Sequence, residues 1–167
     1  MDILLRDVPE QVVVTEQRMV DQAALEAWLP GAMSRVLKAA GDAAAGTVQQ
    51  PYLERGQAPD EPVFIVIYEG NPNEGETAVE VCTPLRAGVR APADAASRTI
   101  PGHREAYVRV TKNTVVSGRL GDVYVAVERW VGSNALEVAA APRETYWTDF
   151  HAADGHDVVF DVAYPVR

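Results

Sequence analysis

EVCTPL, residues 80–85, and DVAYPV, residues 161–166, follow one pattern: an acidic residue, two apolar residues, one residue of any type and a proline. Each closes a short apolar segment that is typical of a β-strand. Proline ends such a strand because it has no backbone N–H to donate to a neighbouring strand. The two stretches lie roughly half a chain length apart, and a shared pattern at such an offset indicates an internal repeat.

The first half of the chain predicts a strand, a helix and a β-hairpin, in that order. Val8–Thr15 is rich in β-branched residues and predicts the strand. Asp21 suits a helix N-cap and Gly41 a helix stop, and apolar residues between them recur at steps of three and four. Pro30 is expected to kink or divide this helix. A turn-rich segment then joins the two strands of the hairpin: Val63–Glu69 and Ala78–Thr83.

The same order returns in the second half, after a connector at residues 86–98. Ala106–Val110 predicts a strand, and the apolar residues from Leu120 to Val131 predict a helix that Gly132 ends. The second hairpin has these two strands: Arg143–Thr148 and Val158–Tyr164.

Two further matches link the halves: Val8-Pro9 with Ile100-Pro101, and Tyr68 with Tyr146. We therefore predict an α+β fold, as one domain over residues 1–167, with pseudo-symmetric strand–helix–hairpin repeats at about residues 1–85 and 99–167. Two such units place antiparallel sheets around a central cleft. Apolar clefts with few polar groups are the usual sites for small ligands.

Aromatic residues are the first candidates for lining this cleft. Those on the predicted strands are Tyr68, Tyr107, Tyr146 and Trp147. Tyr52 lies in the connector that follows the first helix, and Trp130 lies at the end of the second helix. Core packing explains Trp130 equally well.

Composition limits the partners that the protein is expected to have. The 167 residues carry a formal net charge of −9 without any long run of Lys and Arg, so direct nucleic-acid binding is not expected. No segment has the ~20 consecutive apolar residues of a membrane helix, and the N-terminus lacks a secretory signal pattern. A single cysteine excludes an intrachain disulfide. We therefore expect a soluble, cytoplasmic protein.

Four motifs together resemble the GyrI-like effector-binding domain family: V-P near the start, V-E-V-C-T-P, R-E-T-Y and D-V-A-Y-P-V. The resemblance spans nearly the whole chain and implies duplicated SHS2-like modules. Members of that family occur as ligand-sensing halves of MerR- and AraC-type multidrug transcription regulators, as stand-alone binding proteins, as a gyrase inhibitor, and as hydrolases of cyclopropanoid DNA-alkylating natural products. No helix-turn-helix segment accompanies the motifs here, so the resemblance implies a stand-alone member.

The R-E-x-Y motif of that family falls on Arg143, Glu144 and Tyr146, and the resemblance implies that Glu144 is the acid of the ligand pocket. Burying a carboxylate costs free energy that a lipophilic cation offsets by pairing with it, and aromatic faces add cation–π attraction. Where many members carry a His-x-Gly-Pro-Tyr-like segment, this chain has VTKNTVVSGRLG at residues 110–121. The resemblance therefore implies nothing about the pocket rim at that point.

We expect a protein that binds lipophilic or aromatic, chiefly cationic, small molecules without turnover. Two alternatives stay open: a hydrolase of the cyclopropanoid type with Glu144 as general base, and an interaction module of the gyrase-inhibitor type. The sequence has no nucleophile elbow, P-loop, dinucleotide fingerprint or zinc motif. His151, Asp154, His156 and Asp157 follow no standard metal-ligand spacing. No metal and no cofactor are expected.

Overall fold

Eight strands form one antiparallel sheet in the computed structural model of the protein, which describes residues 1–55 and 58–167. The strands are β1 Leu4–Val8, β2 Gln11–Val20, β3 Phe64–Tyr68, β4 Thr77–Pro84, β5 Ser97–Ile100, β6 His103–Thr111, β7 Arg143–Tyr146 and β8 Val158–Val166. The α-helices in these residues are α1 Gln22–Ala40, α2 Lys112–Val116 and α3 Leu120–Ser133. The order across the sheet is β1-β6-β8-β7-β3-β4-β2-β5.

This order is symmetric about the central pair, β3 and β7. The strands of the two halves correspond as β1 with β5, β2 with β6, β3 with β7 and β4 with β8. When each strand is replaced by its counterpart, the same order is obtained, counted from the opposite edge of the sheet. Tyr68 and Tyr146, the last residues of β3 and β7, are equivalent in this exchange, which makes Val66 the counterpart of Glu144. Val66 and Glu144 are also direct register partners. The pseudo-twofold axis therefore passes between these two residues, and the predicted α+β fold of two pseudo-symmetric halves is confirmed.

The edges of the sheet differ from the prediction. The chain does not form one strand over Val8–Thr15, because β1 ends at Val8 and β2 begins at Gln11. In the second half, the predicted connector ends early, since β5 begins at Ser97. The first strand of each half pairs with the other half: β1 with β6, and β5 with β2. Each half thus contributes an edge strand to its neighbour, which periodicity within one half does not reveal.

The chain turns at Pro9, between β1 and β2, and at Pro101, between β5 and β6. These two turns, called the proline corners, lie against each other. A Cβ on Gly102 would lie 3.2 Å from the backbone N of Glu10 and 3.5 Å from the carbonyl O of Val8. Since these corners connect strands at opposite ends of the sheet order, the sheet curls until its ends meet. Gly102 permits this contact because it has no side chain.

The helix α1 continues through Pro30, so the predicted division at that residue is wrong. The Asp21 carboxylate accepts from the N–H of Ala24 at 2.9 Å, as an N-cap does. Because Pro30 has no backbone N–H, the carbonyl of Glu26 lacks its usual helical donor. Both residues are exposed, so water can donate to that carbonyl instead. Buried side chains before and after Pro30 hold the helix to the sheet: Leu25, Trp28, Ala32, Val36 and Ala40.

The helices α1 and α3 cover one face of the sheet, here called the helix face. One apolar cluster joins α1 to Val66, Val79 and Val81, and a second joins α3 to strands β6 and β8. On the opposite, far face, Leu53 packs with Val63 and Trp147. None of the described helices is long and apolar enough to cross a membrane.

Candidate functional site

A cavity of about 660 Å³ opens on the helix face between α1 and α3, above the centre of the sheet. Leu25 and Leu29 of α1 line one side, and Leu120 and Tyr124 of α3 line the other. The loop between β3 and β4 forms a further wall. Four strand residues also line the cavity: Tyr68, Glu144, Tyr146 and Tyr164. The volume lies in the range of small-molecule pockets.

Glu144 is the carboxylate at the floor of this cavity, and only 4% of its surface is exposed. Its Oε1 accepts from the hydroxyl of Tyr68 at 3.2 Å and from that of Tyr146. Its Oε2 accepts from the hydroxyl of Tyr124 at 2.5 Å. Within residues 1–55 and 58–167, no Lys, Arg or His side chain forms an ion pair with Glu144. The side chains that donate to it in the described residues are therefore all neutral hydroxyls.

Burial raises the pKa of Glu144 above its ordinary value, although the hydrogen bonds from Tyr124, Tyr146 and Tyr68 act in the opposite direction. Burial likewise raises the pKa of each of these three tyrosines, and the nearby negative charge of Glu144 adds to that rise. The hydroxyls consequently keep their protons and stay donors at neutral pH.

Strand alternation explains how β7 presents these groups. Successive side chains of a strand point to opposite faces, so Glu144 and Tyr146 share the helix face while Arg143 and Thr145 point to the far face. Tyr68 joins them because it is the pseudo-symmetric counterpart of Tyr146. Tyr124 follows Val123, one of the buried valines by which α3 packs on the sheet, and so lies beside the cavity.

The structure brings together three of the seven residues that the sequence suggested for the cleft. Glu144, Tyr146 and Tyr68 line the cavity. Tyr107, Trp147 and Tyr52 instead belong to the far face, and Trp130 packs at the margin of the cluster beneath α3. The parity of the strands explains Tyr107 and Trp147: Tyr107 pairs with Ala163, and Trp147 follows Tyr146 by one position. Tyr52 lies near the guanidinium of Arg6 on that same face.

Sequence reasoning missed Tyr124 and Tyr164 as pocket residues. Tyr124 was assigned to the apolar stripe of the second helix, and Tyr164 to the strand-end motif. The two rings meet edge to face with centroids 6.1 Å apart, and the hydroxyl of Tyr164 donates to Glu128 at 2.9 Å. A usable signal was present: both residues are amphipathic, and a buried tyrosine hydroxyl needs a polar partner.

The far face carries a buried ionic cluster centred on Arg6. Its Nε donates to Glu105 at 2.8 Å, its Nη1 donates to Asp161 at 2.7 Å, and its guanidinium carbon lies 3.8 Å from the centroid of the Tyr107 ring. Burial raises the pKa of Asp161 to about 6 despite the attraction of Arg6. The salt bridges and hydrogen bonds join β1 to β6 and β8, so we assign the cluster a structural role. In the described ranges, no three His, Cys, Asp or Glu side chains come together to hold a metal ion.

Comparison with known proteins rests on structure alone. No protein-family model matches the chain, and no curated protein sequence matches it either. The C-terminal domain of EcmrR is similar over 99% of this chain and 97% of that domain, with 18% identity and a TM-score of 0.73. In a cryo-EM structure of an EcmrR–DNA complex, the chain spans 57% of EcmrR, with a TM-score of 0.70.

Two more distant structures share the fold. SAV2435, solved bound to tetraphenylphosphonium, is 12% identical, with a TM-score of 0.54 over 100% of this chain and 94% of that one. A hydrolase from Listeria innocua is 9% identical, with a TM-score of 0.56 over 99% and 91% of the two chains. The protein described here has the fold of the EcmrR C-terminal domain.

Proposed function

We propose that the protein binds lipophilic aromatic cations in the cavity above Glu144, as a small-molecule sensing or sequestering protein of the GyrI-like kind. The observation that carries this proposal is the buried carboxylate without a basic partner, set in a cavity of leucines and tyrosines. Both halves of the chain line that cavity, so residues 1–167 act as one binding unit.

The physical reason lies in how Glu144 is solvated. Three neutral hydroxyls compensate only part of the cost of burying its charge, since burial still raises its pKa. A cation without hydrogen-bond donors can pair with this carboxylate and rest its apolar surface on the aromatic rings. Such a ligand needs no directional contacts, which favours a broad range of compounds. SAV2435, which shares the fold, was solved with a ligand of this chemistry.

The test compares tetraphenylphosphonium with tetraphenylborate, which has the same shape and the opposite charge. We expect isothermal titration calorimetry to detect the phosphonium and not the borate. Glu144→Gln should weaken phosphonium binding by roughly ten- to hundredfold, at the low end of the effects of close charge pairs at interfaces. Glu137→Gln, an exposed carboxylate beside Arg167 and away from the cavity, is the control. Equal binding of both ions, or no effect of Glu144→Gln, would contradict the proposal.

The net charge of −9 supports a role without direct contact to DNA. EcmrR was solved in complex with DNA, and this chain spans 57% of that protein. We propose that any effect of this protein on transcription passes through a separate partner. A gel-shift titration with random-sequence duplex DNA checks this, and a retarded band at physiological salt would contradict it.

A hydrolase is the second candidate, and the raised pKa of Glu144 favours it. A carboxyl group with a raised pKa beside tyrosine donors suits general acid–base chemistry near neutral pH. A protein with the same fold is described as a hydrolase. Incubation with a cyclopropane-containing alkylating compound, followed by mass spectrometry, tests this. A hydrolysed product that forms with the wild type and not with Glu144→Gln supports the hydrolase, and intact compound in both excludes it for that substrate class.

A further inference from the structure

The charges around the cavity have one sign. Five glutamates line it: Glu26, Glu69, Glu74, Glu128 and Glu144. In the described part of the chain, no Lys, Arg or His lines it. The whole sequence has 24 acidic and 15 basic residues, so the lining is more one-sided in charge than the composition.

These carboxylates occupy two levels. Glu144 is buried at the floor, whereas Glu26, Glu69, Glu74 and Glu128 are exposed and surround the mouth. The mouth residues come from three separate elements: α1, the β3–β4 loop and α3. The buried Tyr164, which also lines the cavity, donates its hydroxyl to Glu128 of the mouth at 2.9 Å.

The part of the mouth formed by the β3–β4 loop is held in shape. The side chain of Asn71 accepts from the N–H of Asn73 at 3.0 Å, and Pro72 is buried beneath the loop. Glu69 and Glu74 flank this turn. Neither side chain forms an ion pair or side-chain hydrogen bond within the described ranges. Glu69 lies close enough to Arg98 to contribute to the raised pKa of that guanidinium, so Glu74 is the carboxylate of this loop that is available to a ligand.

We infer that the cavity prefers dications, in which an apolar aromatic body separates two positive groups, over monocations of the same shape. This inference rests on the proposed function and adds the charge class of the ligand. One positive group pairs with Glu144 at the floor, and the body fills the space between Leu29 and Tyr124. The second positive group lies among the mouth carboxylates, none of which forms an ion pair with a basic residue of the described chain.

The mouth contribution is expected to be moderate because its carboxylates are exposed to water. Exposed charge pairs contribute little individually, but several unpaired carboxylates around one cation act together. We expect the dication to bind roughly three- to tenfold more tightly than a matched monocation at low ionic strength, and the difference to shrink as salt is added.

The experiment uses methyl viologen and N-methyl-para-tolylpyridinium, which has the same shape with one ring nitrogen replaced by carbon. Calorimetry measures both affinities in the wild type, in Glu69→Gln/Glu74→Gln, in Glu128→Gln and in Glu144→Gln. Glu10→Gln/Asp42→Asn is the control, because it removes the same number of exposed charges away from the cavity. The mouth variants should bring the affinity ratio of the two probes toward unity, and the control should leave it unchanged.

The outcomes separate the two proposals. If both probes bind in a Glu144-dependent way with equal affinity, or if the mouth variants do not change the ratio, the dication preference is overturned and the proposed function stands. If neither probe binds while tetraphenylphosphonium does, the dication preference is overturned and the proposed function stands. If Glu144→Gln leaves the affinities of both probes and of tetraphenylphosphonium unchanged, both proposals are overturned. Circular dichroism of each variant shows whether it is folded.

Discussion

Glu144 and Val66 face each other across the pseudo-twofold axis, and the site depends on their difference. The backbone environment of the two positions is the same by topology, yet one carries a carboxylate and the other an apolar side chain. Tyr68 and Tyr146, by contrast, keep the same residue type on both sides and both donate to Glu144. At the scale of the residue, the proposed cation binding depends on a single difference between two otherwise equivalent positions.

The affinity for a permanent cation is predicted to fall as the pH drops through the pKa of Glu144, which burial holds above its ordinary range. Protonation removes the negative charge that pairs with the ligand, whereas the tyrosine hydroxyls keep their protons throughout. Titration of tetraphenylphosphonium at a series of pH values measures this. In the Glu144→Gln variant only the mouth carboxylates contribute to the pH dependence of binding, so its profile is subtracted from that of the wild type. An identical pH profile in both proteins would argue against Glu144 as the residue that pairs with the cation.

Glu144→Gln is also predicted to stabilise the fold, and more so at higher pH. A carboxyl whose pKa is raised in the folded state binds its proton there to higher pH than in the unfolded chain, so the free energy of unfolding falls as pH rises between the two pKa values. Glutamine escapes this loss, which amounts to about 1.4 kcal/mol for each pKa unit. Urea denaturation from about pH 4 to about pH 8 measures the difference. A difference that stays constant with pH would contradict this prediction.

The exchanged edge strands, β1 and β5, are each anchored by an arginine. Arg98 of β5 donates to Glu80 of β4 at 2.7 and 2.6 Å, and Arg6 of β1 donates to Asp161 of β8 at 2.7 Å. The two pairs are equivalent by the repeat, since Glu80 and Asp161 open the matched strand-end motifs. Their surroundings differ: the side chain of Arg98 is 41% exposed and that of Arg6 is 6% exposed.

Replacing these arginines by methionine is predicted to have unequal effects. Arg98→Met should lower the free energy of unfolding by about 1 kcal/mol, the upper end for exposed pairs, because Arg98 is 41% exposed whereas the side chain of Glu80 is only 13% exposed. Arg6→Met should lower it by about 3–5 kcal/mol, because Glu105 and Asp161 then lose their shared buried cation. His103 near Glu105 and Arg109, at 3.9 Å from Asp161, replace it only in part. Urea denaturation of both variants at neutral pH compares them. Equal losses of unfolding free energy in the two variants would contradict the prediction that burial makes the Arg6 pair contribute more.

At the scale of the whole molecule, the curled sheet depends on the contact between the two proline corners. Gly102→Ala would place a Cβ 3.2 Å from the backbone N of Glu10, where no flexible side chain can move aside. We predict a loss of about 1–3 kcal/mol in the free energy of unfolding, the usual cost of overpacking. Thermal or urea denaturation measures it.

Gly132→Ala is the matched control, because a Cβ there meets nothing within 4 Å and the residue lies inside α3. Alanine at this position should be neutral or stabilising by about 0.5–1 kcal/mol. If the two alanine variants have equal stability, the corner contact does not hold the ends of the sheet together.

The sequence predicted what is local and repeated. The two long helices, the hairpins and the equivalence of Tyr68 with Tyr146 follow from periodicity and from matched motifs, whereas the short helix α2 was not predicted. Glu144 follows from the R-E-x-Y resemblance. Its partner Tyr124 lies in the apolar stripe predicted for the second helix, and such a stripe does not show which of its residues borders a cavity. Tyr107 was misplaced because the sequence does not show which face of β6 turns toward the cavity. Trp147 directly follows Tyr146, so strand alternation within the sequence already excludes that both residues line one cleft. The strands β1 and β5 each pair with a strand of the other half, and no sequence pattern inside one half predicts such pairing.

The position of Glu144 on the axis has a consequence for how such a site can arise. In an assembly of two identical chains around the same axis, this position would hold either two acids or none, since symmetry copies every residue. Two facing glutamates on neighbouring strands would repel, and one would have to stay protonated. Joining the two halves in one polypeptide removes that constraint. A single negative charge can then lie beside the axis of a nearly symmetric frame, opposite an apolar residue.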